Sequence, residues 1–496
     1  MNAASTLTTR LLTERPRPRG IAGWRYAHWL AVGTVCLGAF LGQLTASVTA
    51  LVYPALQRHF GAGFAAVEWV ALAYLLVLVA LLAPVGRLSD LVGRKTVYIG
   101  GFAVFGLASL GAGFAGGLGT LVACRAVQAV GGAMMQANSV ALVARGVPER
   151  AMRRALGIQA AAQGLGLALG PSLGGLLVEH ASWRWVFWIN VPVALVGILA
   201  GWFLLPRTRR PDAGPVPRAL PRPVPRPRGA ARSAWLVRSD PDGGRFDQAG
   251  LLLLAASTTA LLLALSAASG LPLPGWAVAA LLLATVLCGL GLVRRERRAA
   301  RPILAPGLVN TPGVRPGLAV SLIGYLLLFC PLVLGPVLLA EAGLPTGRAG
   351  LVITVLPAAF AVAATAGGAL LPRGWSDVAR CRFGAALAGA GLLSCALLPA
   401  AGAVALALPL LVAGGGLGLL LPANNALVMR AIPAECSAVG GGMVNMARSL
   451  GTALGTALPV LGVHLAGPVL GGRAVLLALA AVAALAVALS RPVRRR

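Results

Sequence analysis

The sequence predicts an all-α polytopic membrane protein: two six-helix bundles, an inserted two-helix hairpin and about fourteen spans in all. Three observations carry that reading. Of the 496 residues, 58% are hydrophobic and 11% charged, and the mean hydropathy is +0.84, so too little polar surface exists to coat a soluble core. The apolar residues also come in long runs, such as Leu251–Leu265, Trp276–Val293 and Ala474–Leu489. At about 1.5 Å per residue, each crosses much or all of a ~30 Å hydrocarbon layer. Backbone groups in lipid pair within the segment or around a closed barrel, and the alternation of a barrel strand is absent, so the runs are helices. Finally, nearly every basic residue falls in alternate gaps between the runs.

Those gaps mark the span ends in order. A tail carrying Arg10 to Arg25 precedes span 1, Arg87–Lys95 separates spans 2 and 3, and Arg145–Arg154 separates spans 4 and 5. Arg207–Arg245 lies between spans 6 and 7, Arg294–Arg315 between 8 and 9, and Arg373–Arg382 between 10 and 11. Arg430 closes span 12 and Arg491–Arg496 follow span 14. This is the positive-inside pattern; it places both termini in the cytoplasm and requires an even number of spans across the cell membrane. The spans are expected near 28–53, 66–86, 96–116, 118–144, 155–178, 185–205, 248–268, 273–293, 316–340, 348–371, 383–401, 403–429, 436–462 and 473–490. The formal charge of +29 thus reports topology, and no nucleic-acid partner is expected, since the arginines form no single patch. The seven cysteines show no metal or redox spacing, and neither a metal nor another cofactor is expected.

The expected layout is a basic tail at 1–27, a first bundle at 28–205, a linker at 206–246, the hairpin at 247–294, a cytoplasmic loop at 295–315, a second bundle at 316–490 and a basic tail at 491–496. Runs such as Pro225-Arg226-Pro227-Arg228 make the linker extended and solvated. A gap-free shift of 285 residues aligns 141–148 (ALVARGVP) with 426–433 (ALVMRAIP). It also sets Leu165-Gly166 on Leu450-Gly451 and Ala168-Leu169-Gly170 on Ala453-Leu454-Gly455. Spans 4 and 5 are therefore equivalent to spans 12 and 13, and spans 1–6 and 9–14 are related halves around spans 7 and 8. Related halves about a central site suit alternating access.

Four motifs occur in order. The loop after span 2 reads Gly86-Arg87-Leu88-Ser89-Asp90-Leu91-Val92-Gly93-Arg94-Lys95, in which Asp90 suits a charged latch and the glycines a tight turn. Span 4 carries Arg125-Ala126-Val127-Gln128-Ala129-Val130-Gly131-Gly132. Span 5 carries Gly166-Leu167-Ala168-Leu169-Gly170-Pro171-Ser172-Leu173-Gly174-Gly175. Its glycines at every fourth position make a face for close helix packing, and Pro171 removes a backbone donor. Span 6 opens with Trp183-Arg184-Trp185-Val186-Phe187-Trp188-Ile189-Asn190-Val191-Pro192. Together these resemble the signature loop, span-4 motif, span-5 antiporter motif and span-6 entry of the major facilitator superfamily, in its fourteen-helix drug:proton antiporter branch. The resemblance implies an efflux transporter that exchanges a small-molecule substrate for protons, a role associated with antibiotic resistance. A monomer in the bilayer is the expected state.

Arg125 and Arg448 are the two basic residues within spans; a mid-span arginine costs roughly 2.5–3.5 kcal/mol on insertion scales and so faces a cavity or a partner. Gln128, Gly132 and Gln136 follow Arg125 at helical spacing, and Asn445 precedes Arg448 by one turn. Gln159 and Gln163 share a face of span 5, Gln43 and Ser47 a face of span 1, and Asn424-Asn425 lie in span 12. Lining of a central cavity and simple interhelical hydrogen bonding are equal alternatives for these residues. Many members of the branch carry an aspartate in span 1; alignment on Pro54 puts Thr45 there. With no acidic residue in span 1, Glu68 at the outer end of span 2 and Glu341 near the outer end of span 9 become the candidate proton carriers. Two buried arginines without a deep carboxylate predict neutral, zwitterionic or anionic amphiphilic substrates. An importer of a small metabolite, or a receptor with a transporter fold, are the alternatives. The four histidines form no catalytic cluster and no GxxxxGK[ST] phosphate loop occurs, so neither an enzyme nor a primary pump is expected.

Overall fold

Among the described residues, fourteen helices of 15 or more residues match the expected spans. In the computed structural model, α1 spans Ala27–Phe60, α2 Phe64–Val92, α3 Arg94–Gly113, α4 Leu118–Gly146, α5 Glu149–His180 and α6 Asn190–Leu204. The series continues with α7 Gln248–Ala268, α8 Gly275–Arg298, α9 Val314–Glu341, α10 Thr346–Leu370, α11 Asp377–Leu397, α12 Ala403–Ala431, α13 Ser437–Ala466 and α14 Gly472–Leu489. One-turn helices at Trp185–Trp188 and Pro306–Val309 precede α6 and α9. The structure describes residues 17–18, 20, 23–24, 26–208, 247–268, 273–298, 306–309, 311–370, 374–397, 403–432 and 437–490. Most of the expected linker and tails lies outside the described residues, as do the side chains of Arg87, Asp90 and Arg145.

By length and composition, 11 stretches of the described residues qualify as membrane spans. One of them, Gly440–Leu489, holds both α13 and α14, joined by a π-helical turn at Gly467–Gly471. The apolar part of α7, Leu252–Ala268, is shorter, and α11 carries Asp377, Arg380 and Arg382 in its first two turns. No strand occurs among the described residues. The end of the bundle that bears the α2–α3 loop is termed the basic end, and the end where α1 turns into α2 the far end.

The two halves repeat their contacts helix for helix. The pairs α1–α5, α3–α4, α2–α4, α3–α6 and α1–α6 recur as α9–α13, α11–α12, α10–α12, α11–α14 and α9–α14. Between the halves, α5–α10 is matched by α13–α2, and α1 meets its own counterpart α9. The 285-residue offset has a packing cause. A Cβ on Gly166 would strike the Phe40 carbonyl of α1, and one on Gly451 would strike the Leu322 carbonyl of α9. Likewise a Cβ on Gly131 would stand 2.6 Å from the Gly101 carbonyl, and one on Gly416 2.6 Å from the Gly384 carbonyl. Glycine recurs at these positions because backbone packs on backbone there.

Helices α7 and α8 pack on each other; Ser257 Oγ donates to the Thr285 carbonyl at 3.1 Å, and Arg295 pairs with Asp247 at 3.1 Å. The hairpin lies beside α2 and α13, while Leu282, Leu283, Val286, Leu287 and Leu290 of α8 face outward as a lipid surface does. At the basic end the C-terminus of α6 is held by cations. Lys95 Nζ donates to the carbonyls of Trp202 and Leu205, both at 2.9 Å, and Arg17 Nε to that of Leu204 at 2.6 Å. Both charges complement the negative end of the helix dipole.

Candidate functional site

The site begins on α4. Arg125 is 1% exposed, and two of its donors are committed: Nε to the Val70 carbonyl of α2 at 2.7 Å, and Nη1 to Gln128 Oε1. Gln128 Nε2 passes the chain on to Ser109 Oγ of α3 at 2.6 Å. The guanidinium lies 4.6 Å from the Tyr74 ring centroid, where the face of the ring favours a cation. Gly132 makes room for Tyr74, since a Cβ there would stand 2.6 Å from its hydroxyl oxygen. The span-4 motif thus ties α2, α3 and α4 around one buried arginine. No ion pair is made by Arg125 among the described residues. Beside it lies a cavity of about 10 Å³, lined by Tyr53, Tyr74, Arg125, Phe329, Thr452 and Thr456 among others, and so shared by both halves.

On α5 the antiporter motif has two working faces. Gly166, Gly170 and Gly174 turn toward α1, where Ser47 Oγ lies 3.4 Å from the Gly166 carbonyl and a Cβ on Gly174 would meet Val48. Pro171, Ser172 and Gly175 turn instead toward α10 of the other half. A Cβ on Gly350 would stand 2.5 Å from the Pro171 carbonyl, and one on Gly175 2.8 Å from the Thr346 carbonyl. Ser172 Oγ and Thr354 Oγ1 are 2.5 Å apart, and the Gly347 amide donates to Glu179 Oε2 at 2.5 Å. This seam runs to the far end, where a cavity of about 720 Å³ lies beside it between the ends of α1, α9 and α10, lined by Pro54, Arg58, Pro336 and Thr346 among others.

Mid-membrane, the pseudo-equivalent residues Gln163 and Arg448 meet: Arg448 Nη1 donates to Gln163 Oε1 at 3.5 Å. The Arg448 guanidinium also lies 5.1 Å from the Tyr325 ring centroid. Asn445 and Gln43 are half-buried. Between this level and the basic end, Gln136 Nε2, Gln159 Oε1 and Asn425 Oδ1 are buried without a hydrogen-bond partner among the described residues. Groups of this kind in a bilayer are satisfied by water or a ligand.

Other expected residues lie elsewhere. Thr45, at the place of the branch's span-1 aspartate, is 1% exposed and donates to Asn190 Oδ1 of α6 at 3.1 Å. Ser47 is in the α1–α5 contact, and Asn424 Nδ2 donates to the Gly317 carbonyl at 2.9 Å and Ser321 Oγ at 2.8 Å of α9. Glu68 stands near the start of α2 yet is fully buried, with neither carboxyl oxygen bonded among the described residues. Glu341 is exposed at the last residue of α9.

In the α2–α3 loop, Gly93 has φ +115° and serves both as the end of α2 and the start of α3, a backbone setting that suits glycine. The Arg94 amide donates to Thr208 Oγ1 at 2.9 Å. Gly86 lies within α2, and the Asp90 side chain is outside the described residues. Sequence reasoning passed over Asn138, which donates to Ser89 Oγ at 2.7 Å and so ties α4 to this loop. A lone asparagine in a span was the available signal. In the second half, Asp377 at the start of α11 pairs with Arg430 at the end of α12.

Two pseudo-symmetric six-helix bundles that pack on each other through α5–α10 and α13–α2 have the architecture of a membrane transporter. The sequence profile of the Major Facilitator Superfamily matches residues 35–456, and the chain belongs to that family of membrane transporters. It is 29% identical over 467 residues to the Tetracenomycin C resistance and export protein of Streptomyces glaucescens, covering 91% of this chain and 79% of that one. It is 33% identical over 286 residues to the Puromycin resistance protein pur8 of Streptomyces alboniger, covering 57% of this chain and 50% of that one. The crystal structure of the human organic anion transporter MFSD10 superposes with a TM-score of 0.58 at 16% identity, covering 94% of this chain and 99% of that one.

Proposed function

We propose that this transporter exports drug-like or self-made amphiphilic small molecules across the cell membrane by alternating access, driven by protons moving the other way. The observation that carries the proposal is the α5–α10 seam. Backbone meets backbone there through Pro171, Gly175, Gly347 and Gly350, with few polar contacts, so the seam parts without exposing a large apolar core. With the basic loops and both termini in the cytoplasm, the α5–α10 seam lies toward the outside, and residues 28–205 and 316–490 are the halves that rock. The hairpin at 247–294 rides on the α2–α13 side. The export role of the tetracenomycin relative supports the direction of transport.

Glu68 is the proton carrier in this reading. A carboxyl sealed in one conformation and opened to water when the halves part carries a proton through the cycle without needing a span-1 aspartate. Arg125 positions α2, which bears Glu68, through the Val70 carbonyl. Glu341 remains exposed and suits this task less well.

The test is efflux of a panel of amphiphilic antibiotics from cells stripped of their own pumps, with and without a protonophore. Protonophore-sensitive export that survives Glu341→Gln and is lost in Glu68→Gln supports the proposal. Export indifferent to the protonophore, or kept by Glu68→Gln with its protonophore sensitivity intact, rejects proton coupling at this residue.

A further inference from the structure

Resting on the exporter reading, we infer that Arg448, framed by Gln163, Asn445 and Tyr325, is the recognition site for an organic acid group on an aromatic substrate. The two intramembrane arginines are in opposite conditions. Arg125 has two of its donors taken, by a carbonyl and an amide oxygen, and is sealed. Arg448 is half-buried, and the one hydrogen bond of its guanidinium among the described residues, to Gln163, is 3.5 Å long. A guanidinium carries five N–H donors, and one weak contact leaves most of that capacity for a planar carboxylate, phenolate or sulfonate. No carboxylate pairs with Arg448 among the described residues, so the cost of a cation at this depth is offset on binding an anion.

The position is suited to transport as well as to binding. Gln163 and Arg448 are the same place in the two halves, related by the 285-residue offset, so they meet at the pseudo-symmetry axis where access alternates. Tyr325 of α9 lies beside the guanidinium, and α13, which bears Arg448, packs against both α9 and α2. Helices of both halves therefore surround the charge, with the aromatic ring of Tyr325 beside it. Asn445, one helical turn before Arg448, supplies an amide on the same face.

Pyrenebutyrate and its methyl ester share one ring system and differ by the charge. Purified protein in proteoliposomes of phosphatidylcholine alone is expected to bind and transport the acid about tenfold or more better than the ester. Arg448→Gln is expected to cut the acid about tenfold to hundredfold while leaving the ester near wild type, and Arg448→Lys to restore part of the difference. Equal handling of acid and ester by the wild type, or equal loss of both in Arg448→Gln, overturns the assignment. If the exporter reading stands, ester transport persists in either case; failure of the wild type to move either compound overturns both. A third arm adds phosphatidylglycerol. Competition by this lipid that matches or exceeds the acid assigns the charge to a lipid headgroup and also overturns the proposal.

Discussion

Gly350→Ala tests how the seam works. A Cβ at Gly350 would stand 2.5 Å from the Pro171 carbonyl oxygen and 3.3 Å from Gly175 Cα, both backbone atoms of a helix that cannot turn aside. Relief requires α5 and α10 to separate by roughly 1 Å at this level. Overpacking of this kind costs about 1–3 kcal/mol, and only a conformation in which α5 and α10 touch at the far end bears it. The equilibrium should therefore move toward the open far end by about 5- to 150-fold. Gly415→Ala in α12 is the control, because nothing lies within 4 Å of a Cβ there. Nitroxide labels at His180 and Arg348, both exposed at the far end, report the separation by double electron–electron resonance. The expected result is a new long-distance population in Gly350→Ala that Gly415→Ala lacks. Identical distance distributions in the two variants, both folded, would refute the reasoning.

Three further outcomes rest on particular contacts. Arg125→Lys keeps the charge but loses the fork that reaches Val70 and Gln128, so export should fall at least about tenfold and the unfolding temperature should drop; wild-type values for both would contradict the role given to the span-4 motif. Lys95→Met removes two hydrogen bonds on the α6 C-terminus, about 1–2 kcal/mol, and should lower thermal stability in detergent with substrate preference unchanged. Ser172→Ala and Thr354→Val, combined in a double-mutant cycle on the same spin-label readout, should show a coupling of about 0.5–1.5 kcal/mol favouring the conformation in which α5 and α10 touch; additivity would remove that contact from the seam.

Much of the architecture was legible because the bilayer constrains it so strongly. Apolar runs and basic gaps place all fourteen helices, with α12 at 403–431 against an expected 403–429. The main disagreement is at helix ends such as α1, whose last turns to Phe60 are amphipathic and leave the hydrophobic run at about Tyr53. The 285-residue repeat was readable because glycines that meet backbone tolerate no side chain in either half. Helix rotation was not readable. Gln43 and Ser47 share a face, but whether that face meets α5 or a cavity depends on the tilt of α1 against its neighbours, and the structure turns Ser47 to α5 and Thr45 to α6. Burial at a span end was equally hidden. Glu68 lies in a stretch that hydropathy ends at the membrane surface, yet its neighbours Val67 and Val70 join the core that holds Trp183 and Phe187. The cross-half contacts of Ser172 and Glu179 depend on which helices of the two halves touch, which pattern along one chain does not encode.

The most direct test of proton-driven export is flux in proteoliposomes under an imposed pH gradient, with an amphiphilic fluorescent substrate and no other energy source. Accumulation should follow the gradient in the wild type and vanish in Glu68→Gln, which should still equilibrate substrate down its own concentration gradient. Accumulation that ignores the pH gradient in the wild type, or follows it equally in Glu68→Gln, would contradict coupling through this buried carboxyl.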